Sequence, residues 1–382
     1  VYVLSLMTDA YGDIPYNEAG KGDVSGLEFP HYQEQKEVYR LMLADLETAN
    51  QLLKSLKADA TISDDILFNG DAVKWRKYAN SLKVRILMRQ SAKKDVSADI
   101  AAIFNNAQEY PVFTSIDDQA TLVYNNTVDF YKWYIQPKNL PSDGSGVIFG
   151  DNFRVSEAIV DALQTKDDPR LPVYVAPTKH SFEAHRANAS VPFVYRGQPA
   201  GLSAAEQNEI DKDDYSVLSS TIRSESRAFV MTFAELQFLK AEAIIRGMIT
   251  GNAADEYAKG IRASMQKWAA ISSDDVDVYL ARPDVALNTA QNEALKQIGT
   301  QAWIDSFLNG FEAFANWRRT GYRELKSGTS VSSAIHVRYI YSDNEQNNPN
   351  LISWTNEKIG RMVNETDMVW FQPQKWNTNV NR

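Results

Sequence analysis

Two long amphipathic stripes early in the chain constrain its fold more than any other feature. Between about residues 32 and 57, apolar side chains recur at helical spacing among Lys and Glu residues. A second stripe follows Asp71, a residue suited to cap a helix N-terminus. Its apolar members are Trp75, Tyr78, Leu82 and Ile86. Neighbouring helices joined by a loop pack antiparallel, so this region predicts a helical pair.

The same period returns after residue 228 and predicts a second pair. Helical spacing runs from Phe233 to Trp268 and is interrupted at Gly247, a residue type that commonly ends helices. The length of this unit and its alanine content are similar to a tetratricopeptide-like repeat of about 34 residues. One further long helix is predicted over about 290–318. Its aromatic members are Trp303, Phe307, Phe311 and Phe314.

Residues 110–227 differ from the helical regions because they are rich in proline and glycine. Only 153–164 has clear helical spacing, and short strands are predicted near 121–124 and 191–195. The chain becomes irregular again after residue 328. We therefore predict a mainly α fold of tetratricopeptide-like helix pairs, an α-α superhelix, decorated by a loop-rich lobe with a few short strands.

The whole chain, 1–382, is predicted to form one domain. Its helical scaffold covers about 1–110 and 228–325, and its loop-rich lobe covers about 111–227 and 326–382. Long ordered loops in compact proteins often carry function, so the lobe is the expected place for a binding site.

Charge and composition narrow the functional classes. The chain has 40 Lys and Arg against 49 Asp and Glu, a formal net charge of −9, whereas nucleic-acid binding needs a cationic surface. The absence of cysteine excludes disulfides, thiolate metal sites and cysteine nucleophiles. No apolar run approaches the ~20 residues of a membrane helix. Aromatic residues make up 11% of the chain, and Trp and Tyr suit stacking on the apolar faces of ligands.

The chain opens with an apolar stretch that runs into Tyr11-Gly12-Asp13-Ile14-Pro15. Gly12 permits backbone conformations closed to other residues, and Pro15 stops a helix. A buried helix is therefore expected to end here and a structured loop to begin. Because a domain should not start with the end of a helix, we expect a natural N-terminal part to precede this segment.

Five segments resemble motifs of the SusD/RagB-like outer-membrane lipoproteins of the Bacteroidetes. The opening segment, for example, is similar to the Thr-Asp-x-Tyr-Gly-Asp-x-Pro-Tyr-x-Glu-Ala motif of that family. The segments occur in the family order and are spread over nearly the whole chain. They are Thr8–Ala19, Phe68–Arg85, Ala234–Gly247, Tyr257–Met265 and Ile304–Tyr322.

This resemblance implies an α-helical fold of four tetratricopeptide-like helix pairs with a loop-rich lobe. It also implies a protein that is lipid-anchored at the extracellular face of the outer membrane, with the N-terminal anchor absent from this chain. Family members sit as a lid on a TonB-dependent SusC-like transporter and bind a nutrient, either an oligosaccharide or a peptide. They are not enzymes, so no catalytic residue, cofactor or nucleic-acid partner is expected.

Tryptophans outside the predicted helices are the candidates for stacking on a sugar ring. Trp133 lies in an aromatic segment next to amide side chains, and Trp354 lies in a segment predicted to be irregular. The neighbours that would join them in a glycan site are Tyr131, Tyr134, Asn126 and Asn356. Tryptophans on predicted helices are instead expected in the core. They are Trp75, Trp268, Trp303 and Trp317.

Other functions stay open beside glycan capture. A peptide could replace the glycan, because helix-pair repeats commonly bind extended peptides. The chain could also be a transporter lid without a ligand site of its own. An all-α glycoside hydrolase would need two carboxylates about 5–10 Å apart. The available acidic residues are Asp129, Glu157, Glu312 and Glu357.

The sequence leaves a metal site undecided. His180 and His185 are five positions apart, which does not place them on one face of a helix, and no cysteine or carboxylate pattern accompanies them, so zinc is disfavoured. The acidic runs Asp59–Asp65 and Asp211–Asp214 lack the ligand pattern of a calcium loop and are interpreted as solvated surface.

Overall fold

The structure is a computed structural model that describes residues 1–57, 60–124, 147, 149, 153–223, 225–268, 271–325, 328 and 335–373. Across these residues the chain forms seventeen α-helices and a two-stranded antiparallel sheet. The predicted mainly α fold is therefore confirmed. None of these helices is long and apolar enough to cross a membrane.

The elements are numbered in chain order. The helices before residue 225 are α1 (Tyr2–Tyr11), α2 (Gly22–Ser25), α3 (Gln35–Lys54), α4 (Ala72–Gln90), α5 (Ser97–Asn105), α6 (Glu157–Gln164), α7 (Leu171–Tyr174), α8 (Lys179–Ala187), α9 (Ala204–Glu209) and α10 (Ser220–Arg223). The later helices are α11 (Phe233–Ile245), α12 (Ala253–Gln266), α13 (Ser273–Leu280), α14 (Gln291–Asp305), α15 (Gly310–Thr320), α16 (Asp343–Gln346) and α17 (Pro349–Ile359). The strands are β1 (Ala120–Val123) and β2 (Arg227–Met231).

Local signals place the first helical pair, α3 and α4, as predicted. Asp71 caps α4, and its Oδ1 accepts hydrogen bonds from the backbone N–H groups of Val73 at 2.9 Å and Lys74 at 3.0 Å. The two helices pack against each other. Buried Asn80 on α4 donates a 3.0 Å hydrogen bond to Asn50 on α3, so the interface is tied by polar as well as apolar contacts.

The second predicted pair, α11 and α12, packs closely through one glycine. A Cβ added to Gly260 on α12 would lie 2.6 Å from the ring of Phe238 on α11. Phe238 is itself 1% exposed and belongs to the core. The first helix of the pair, α11, ends just before Gly247, which has φ +73°, as the sequence indicates.

We expect Gly260→Ala to lower the free energy of unfolding by about 1–3 kcal/mol, because the added methyl group overpacks the contact with Phe238. The change would be measured by urea denaturation followed by circular dichroism. Gly310→Ala is the matched control, since no atom lies within 4 Å of the Cβ it would add. Equal stability of the two variants would show that the α11–α12 contact is not close-packed.

The predicted helix over 290–318 is broken, which corrects the prediction. α14 and α15 are separated at Leu308, which has φ +68°, and Asn309 accepts a capping hydrogen bond from the backbone N–H of Glu312. A non-glycine residue in this left-handed region interrupts helical geometry. Consequently Phe307 stacks on Tyr174 of α7, with ring centroids 4.3 Å apart, instead of continuing a helical stripe.

The loop-rich segments contain more helix and a different strand partner than predicted. Short helices α7 to α10 lie within 110–227, and α16 and α17 follow residue 328. Of these, α8, α9, α16 and α17 begin at residues whose side chains cap the helix, and Ser203 of α9 forms a complete capping box with Glu206. β1 confirms the strand predicted near 121–124, but 191–195 forms no strand, and β2 occupies the predicted start of a helix.

Buried ion pairs join the scaffold helices at their centre. Arg89 on α4 lies 3.2 Å from Asp9 on α1 and 2.6 Å from Glu312 on α15. On the same side, Arg85 pairs with Glu235 on α11 at 2.5 Å. All five side chains are nearly buried, so the network fixes the relative positions of four helices.

Candidate functional site

The loop that follows α1 is held in place by Trp354, a residue that the sequence predicts to contact a ligand. Trp354 was predicted in an irregular segment but lies on α17, where its Nε1–H donates to Asp13 at 2.8 Å. The Lys358 ammonium lies 4.8 Å from the Trp354 ring centroid, and the ring packs beside Tyr32 and Tyr341. These contacts give Trp354 a structural role in holding the loop.

Of the other predicted glycan-binding residues, the structure describes only Asn356. Asn356 is exposed on α17, two positions after Trp354, and residues two apart on a helix do not share a face. Asn126, Tyr131, Trp133 and Tyr134 lie outside the described residues, and their role stays a prediction.

A large cleft lies between α6 and the α14–α15 region. Its volume is about 690 Å³, within the range of small-molecule binding sites. One wall comes from α6 and from residues 199–202, and the other from α14, α15 and the chain that follows α15. The residues that line it include Glu157, Asp161, Trp303, Phe314, Trp317, Arg323, Glu324 and His336.

Aromatic rings form the wall of the cleft that α14 and α15 provide. The break at Leu308 folds α15 back on α14, so Trp303 of α14 and Trp317 of α15 line the same wall. Phe314 stacks on Trp317, with ring centroids 6.1 Å apart. Trp303 was predicted in the core, but it is only half-buried and faces the cleft. Trp317, at 5% exposure, is buried as predicted and also lines the cleft.

The cleft is lined by positively and negatively charged side chains. The Arg323 guanidinium carbon lies 5.6 Å from the Trp303 ring centroid. Burial lowers the pKa of Arg323, while the Asp161 carboxylate acts in the opposite direction. Glu157 and Asp161 are exposed one helical turn apart on α6, so acceptors for ligand hydroxyl groups face the aromatic wall.

A second cleft of about 410 Å³ continues the first. The two clefts share Phe314, Ile335 and His336. Tyr339 lines the second cleft, is 48% exposed and meets Phe314 edge-on at 5.8 Å between centroids. Together the clefts form a groove with aromatic rings along its length, which suits an extended ligand.

The hydrolase candidates are not assembled into a catalytic pair among the described residues. Glu312 is buried in ion pairs with Arg89 and Arg85, whereas Glu157 is exposed at the cleft and Glu357 is exposed on α17. Asp129 lies outside the described residues.

One histidine approaches carboxylates on the lobe surface. His180, Asp211 and Asp214 place one potential ligand atom each within 4.8 Å of one another. The His180 and Asp211 side chains are more than half exposed, and a 2.9 Å contact joins the His180 ring to Asp211. The contact between His180 and Asp211 accounts for the closeness of these side chains without a metal ion.

Comparison with known proteins decides the family. The sequence model of the SusD-like family, described as starch-binding and associating with the outer membrane, matches residues 1–342. The chain belongs to the SusD-like family. SusD-like proteins are nutrient-binding proteins of the outer membrane, so the resemblance carried by the five sequence segments is confirmed. No curated protein matches the chain.

Solved SusD-like structures share the fold. An outer-membrane protein of Bacteroides vulgatus, described as involved in nutrient binding, is 25% identical with a TM-score of 0.82; the match covers 97% of this chain and 82% of that one. A SusD homologue of Bacteroides fragilis is 25% identical with a TM-score of 0.80, covering 97% and 81%. A chitin-binding SusD homologue of Flavobacterium johnsoniae is 26% identical with a TM-score of 0.76, covering 96% and 78%.

Sequence reasoning missed Arg323 and Tyr339 as residues of the SusD-like groove. Arg323 directly follows the Trp317–Tyr322 segment that carries one of the family resemblances. Its place directly after a family motif is the sequence feature that could have identified Arg323 as a candidate. Residue spacing could not join Tyr339 to the groove, because its packing partner Phe314 lies on a different element.

Proposed function

We propose that this SusD-like chain captures an oligosaccharide in the aromatic groove and delivers it to a TonB-dependent SusC-like transporter, on which it acts as a lid. The observation that carries the proposal is the half-buried Trp303 ring in the wall of a 690 Å³ cleft. The chitin-binding relative supports a glycan as the ligand.

The chemistry of the groove suits a sugar chain. One face of a sugar ring is rich in C–H groups and packs on an aromatic plane, while its rim carries hydroxyl groups. Trp303 and Tyr339 supply aromatic surface, and the carboxylates of Glu157 and Asp161 can accept hydrogen bonds from hydroxyl groups. Each contact is weak, so we expect dissociation constants between micromolar and millimolar.

The cellular location of the protein is also part of this proposal. We place it on the extracellular face of the outer membrane, held by an N-terminal lipid anchor. The outer-membrane description of the family supports this location. Binding and release without bond cleavage is the proposed mode of action, and Glu312 supports it because this carboxylate is held in ion pairs with Arg89 and Arg85.

We expect Trp303→Ala to weaken binding of the captured glycan about 10-fold, equivalent to a loss of about 1.4 kcal/mol of binding free energy. The lost stacking surface is the reason. A glycan array would first identify ligands, and isothermal titration of the folded variants would measure affinity. A peptide ligand on a parallel array, with no glycan hit, would favour the peptide alternative.

Two further tryptophan variants control the Trp303 experiment. Trp354→Ala should leave affinity within about 2-fold, because the Trp354 ring packs against Tyr32, Tyr341 and Lys358. Trp133→Ala tests the segment predicted from sequence alone. Full affinity in Trp303→Ala combined with a loss in Trp133→Ala would assign the ligand to Trp133 instead of Trp303.

A further inference from the structure

Arg323 is a cation without a bonded counter-ion in the part of the chain that the structure describes. It is half-buried at the cleft wall beside Trp303, and no hydrogen bond or ion pair holds its guanidinium among those residues. Most other buried or half-buried arginines of the scaffold are paired, as Arg89 is with Glu312 and Arg319 is with Glu242. Withdrawing a charge from water is costly unless it is paired.

The geometry around Arg323 leaves its donors available to a ligand. Its guanidinium is 5.6 Å from the centroid of the Trp303 ring. A ligand packed on this aromatic surface would therefore lie within reach of the guanidinium. Guanidinium groups bind carboxylates through two parallel hydrogen bonds.

The other charges of the cleft limit how many negative groups a ligand can carry. Glu157, Asp161 and Glu324 also line it, and the whole chain has a formal net charge of −9. A polyanion would be repelled by these carboxylates. A ligand with a single carboxylate near Arg323 and neutral sugars elsewhere avoids that repulsion.

We propose that the cleft selects an oligosaccharide that carries one uronic acid, whose carboxylate pairs with Arg323 while a sugar ring packs on Trp303. This inference rests on the proposed function and names its ligand class. In a uronic acid the carboxylate is attached directly to the sugar ring, so one residue of the glycan can make both contacts. Neutral sugars on either side would occupy the rest of the groove.

The test compares two probes that differ only in the charged group. They are xylotetraose bearing one glucuronic acid and the same oligosaccharide after reduction of the carboxyl group to an alcohol. Isothermal titration at low salt is expected to show about 10-fold tighter binding of the acidic probe by the unmodified protein. Arg323→Gln should remove this preference, so that the two probes bind the variant with affinities within about 2-fold of each other.

The controls separate charge at this position from charge in general. Arg40→Gln removes an exposed arginine of α3 and should retain the preference. Arg323→Lys keeps the charge but loses the two parallel hydrogen bonds, so it should retain only part of the preference. Raising the salt concentration should reduce the preference of the unmodified protein.

The outcomes distinguish this inference from the function on which it rests. Equal binding of both probes, or a preference that survives Arg323→Gln, would overturn the uronic-acid inference and leave glycan capture standing. The same holds if neither probe binds while the array identifies a neutral glycan. A folded protein that binds no glycan on the array would overturn both.

Discussion

Replacing Arg89 with alanine is expected to lower the free energy of unfolding by about 3–5 kcal/mol. Its guanidinium lies 2.6 Å from Glu312 and 3.2 Å from Asp9, and all three side chains are buried. Removing the cation leaves the buried Asp9 carboxylate without this partner, and Glu312 keeps only Arg85, 3.6 Å away, as an ion-pair partner among the described residues. Breaking one side of a buried ion pair costs more than the pair itself contributes, because the remaining charge is uncompensated.

The measurement is urea denaturation of the variant and of Arg40→Ala. Arg40 pairs with Glu37 at 2.6 Å on the exposed face of α3, where an ion pair contributes about 0–1 kcal/mol. If both variants lost similar stability, the central network would not be the element that holds α1, α4 and α15 together.

The pH dependence of the Arg89→Ala variant carries a second expectation. Burial raises the pKa of Asp9, and Arg89 opposes this. Without Arg89 that pKa rises further, so the protonated carboxyl is favoured in the folded state. A carboxyl with a raised folded-state pKa destabilises the protein as the pH rises through that range. The stability difference between the two proteins should therefore shrink at acidic pH.

Trp268→Ala is expected to cost about 3–5 kcal/mol of unfolding free energy, the range for deleting a large buried side chain. Trp268 is 1% exposed. It donates a 3.2 Å hydrogen bond to the Tyr174 hydroxyl, and its ring meets that of Phe229 at 5.6 Å between centroids. The side chain thus joins the end of α12 to α7 and β2, and its loss leaves a cavity among all three.

Thermal and urea denaturation would measure the effect of Trp268→Ala. Phe29→Ala is the control, because Phe29 is also aromatic but 42% exposed, and its removal should change stability by about 0.5 kcal/mol or less. A loss below about 1 kcal/mol in Trp268→Ala would mean that the scaffold and the lobe segments fold without this contact.

Local signals explain what was predictable. Helix starts such as Asp71 depend on hydrogen bonds between residues two or three apart, so they are visible in any short window of sequence. The stop at Gly247 is equally local. Family membership was predictable because five separated segments matched in order, whereas the division into scaffold and lobe stays a prediction.

The break between α14 and α15 shows that helical spacing alone does not predict where a helix ends. Helical spacing alone carried one helix through Leu308, although Asn309 and Gly310 immediately follow and favour a turn. The break at Leu308 turned Trp303 from an expected core residue into part of a cleft wall. Similarly, Trp354 was read as a loop residue, while its hydrogen bond to Asp13 spans 341 positions.

The sequence by itself determined the mainly α fold, the paired helices and the SusD-like family, because periodicity, caps and motifs act over short distances along the chain. Only the tertiary structure decided which side chains share the groove. Trp303, Arg323 and Asp161 line the same cleft, although Asp161 lies more than a hundred positions earlier in the sequence. This arrangement depends on how α15 folds back on α14 and how α6 lies across the cleft from both. These long-range contacts leave no periodic pattern in the sequence.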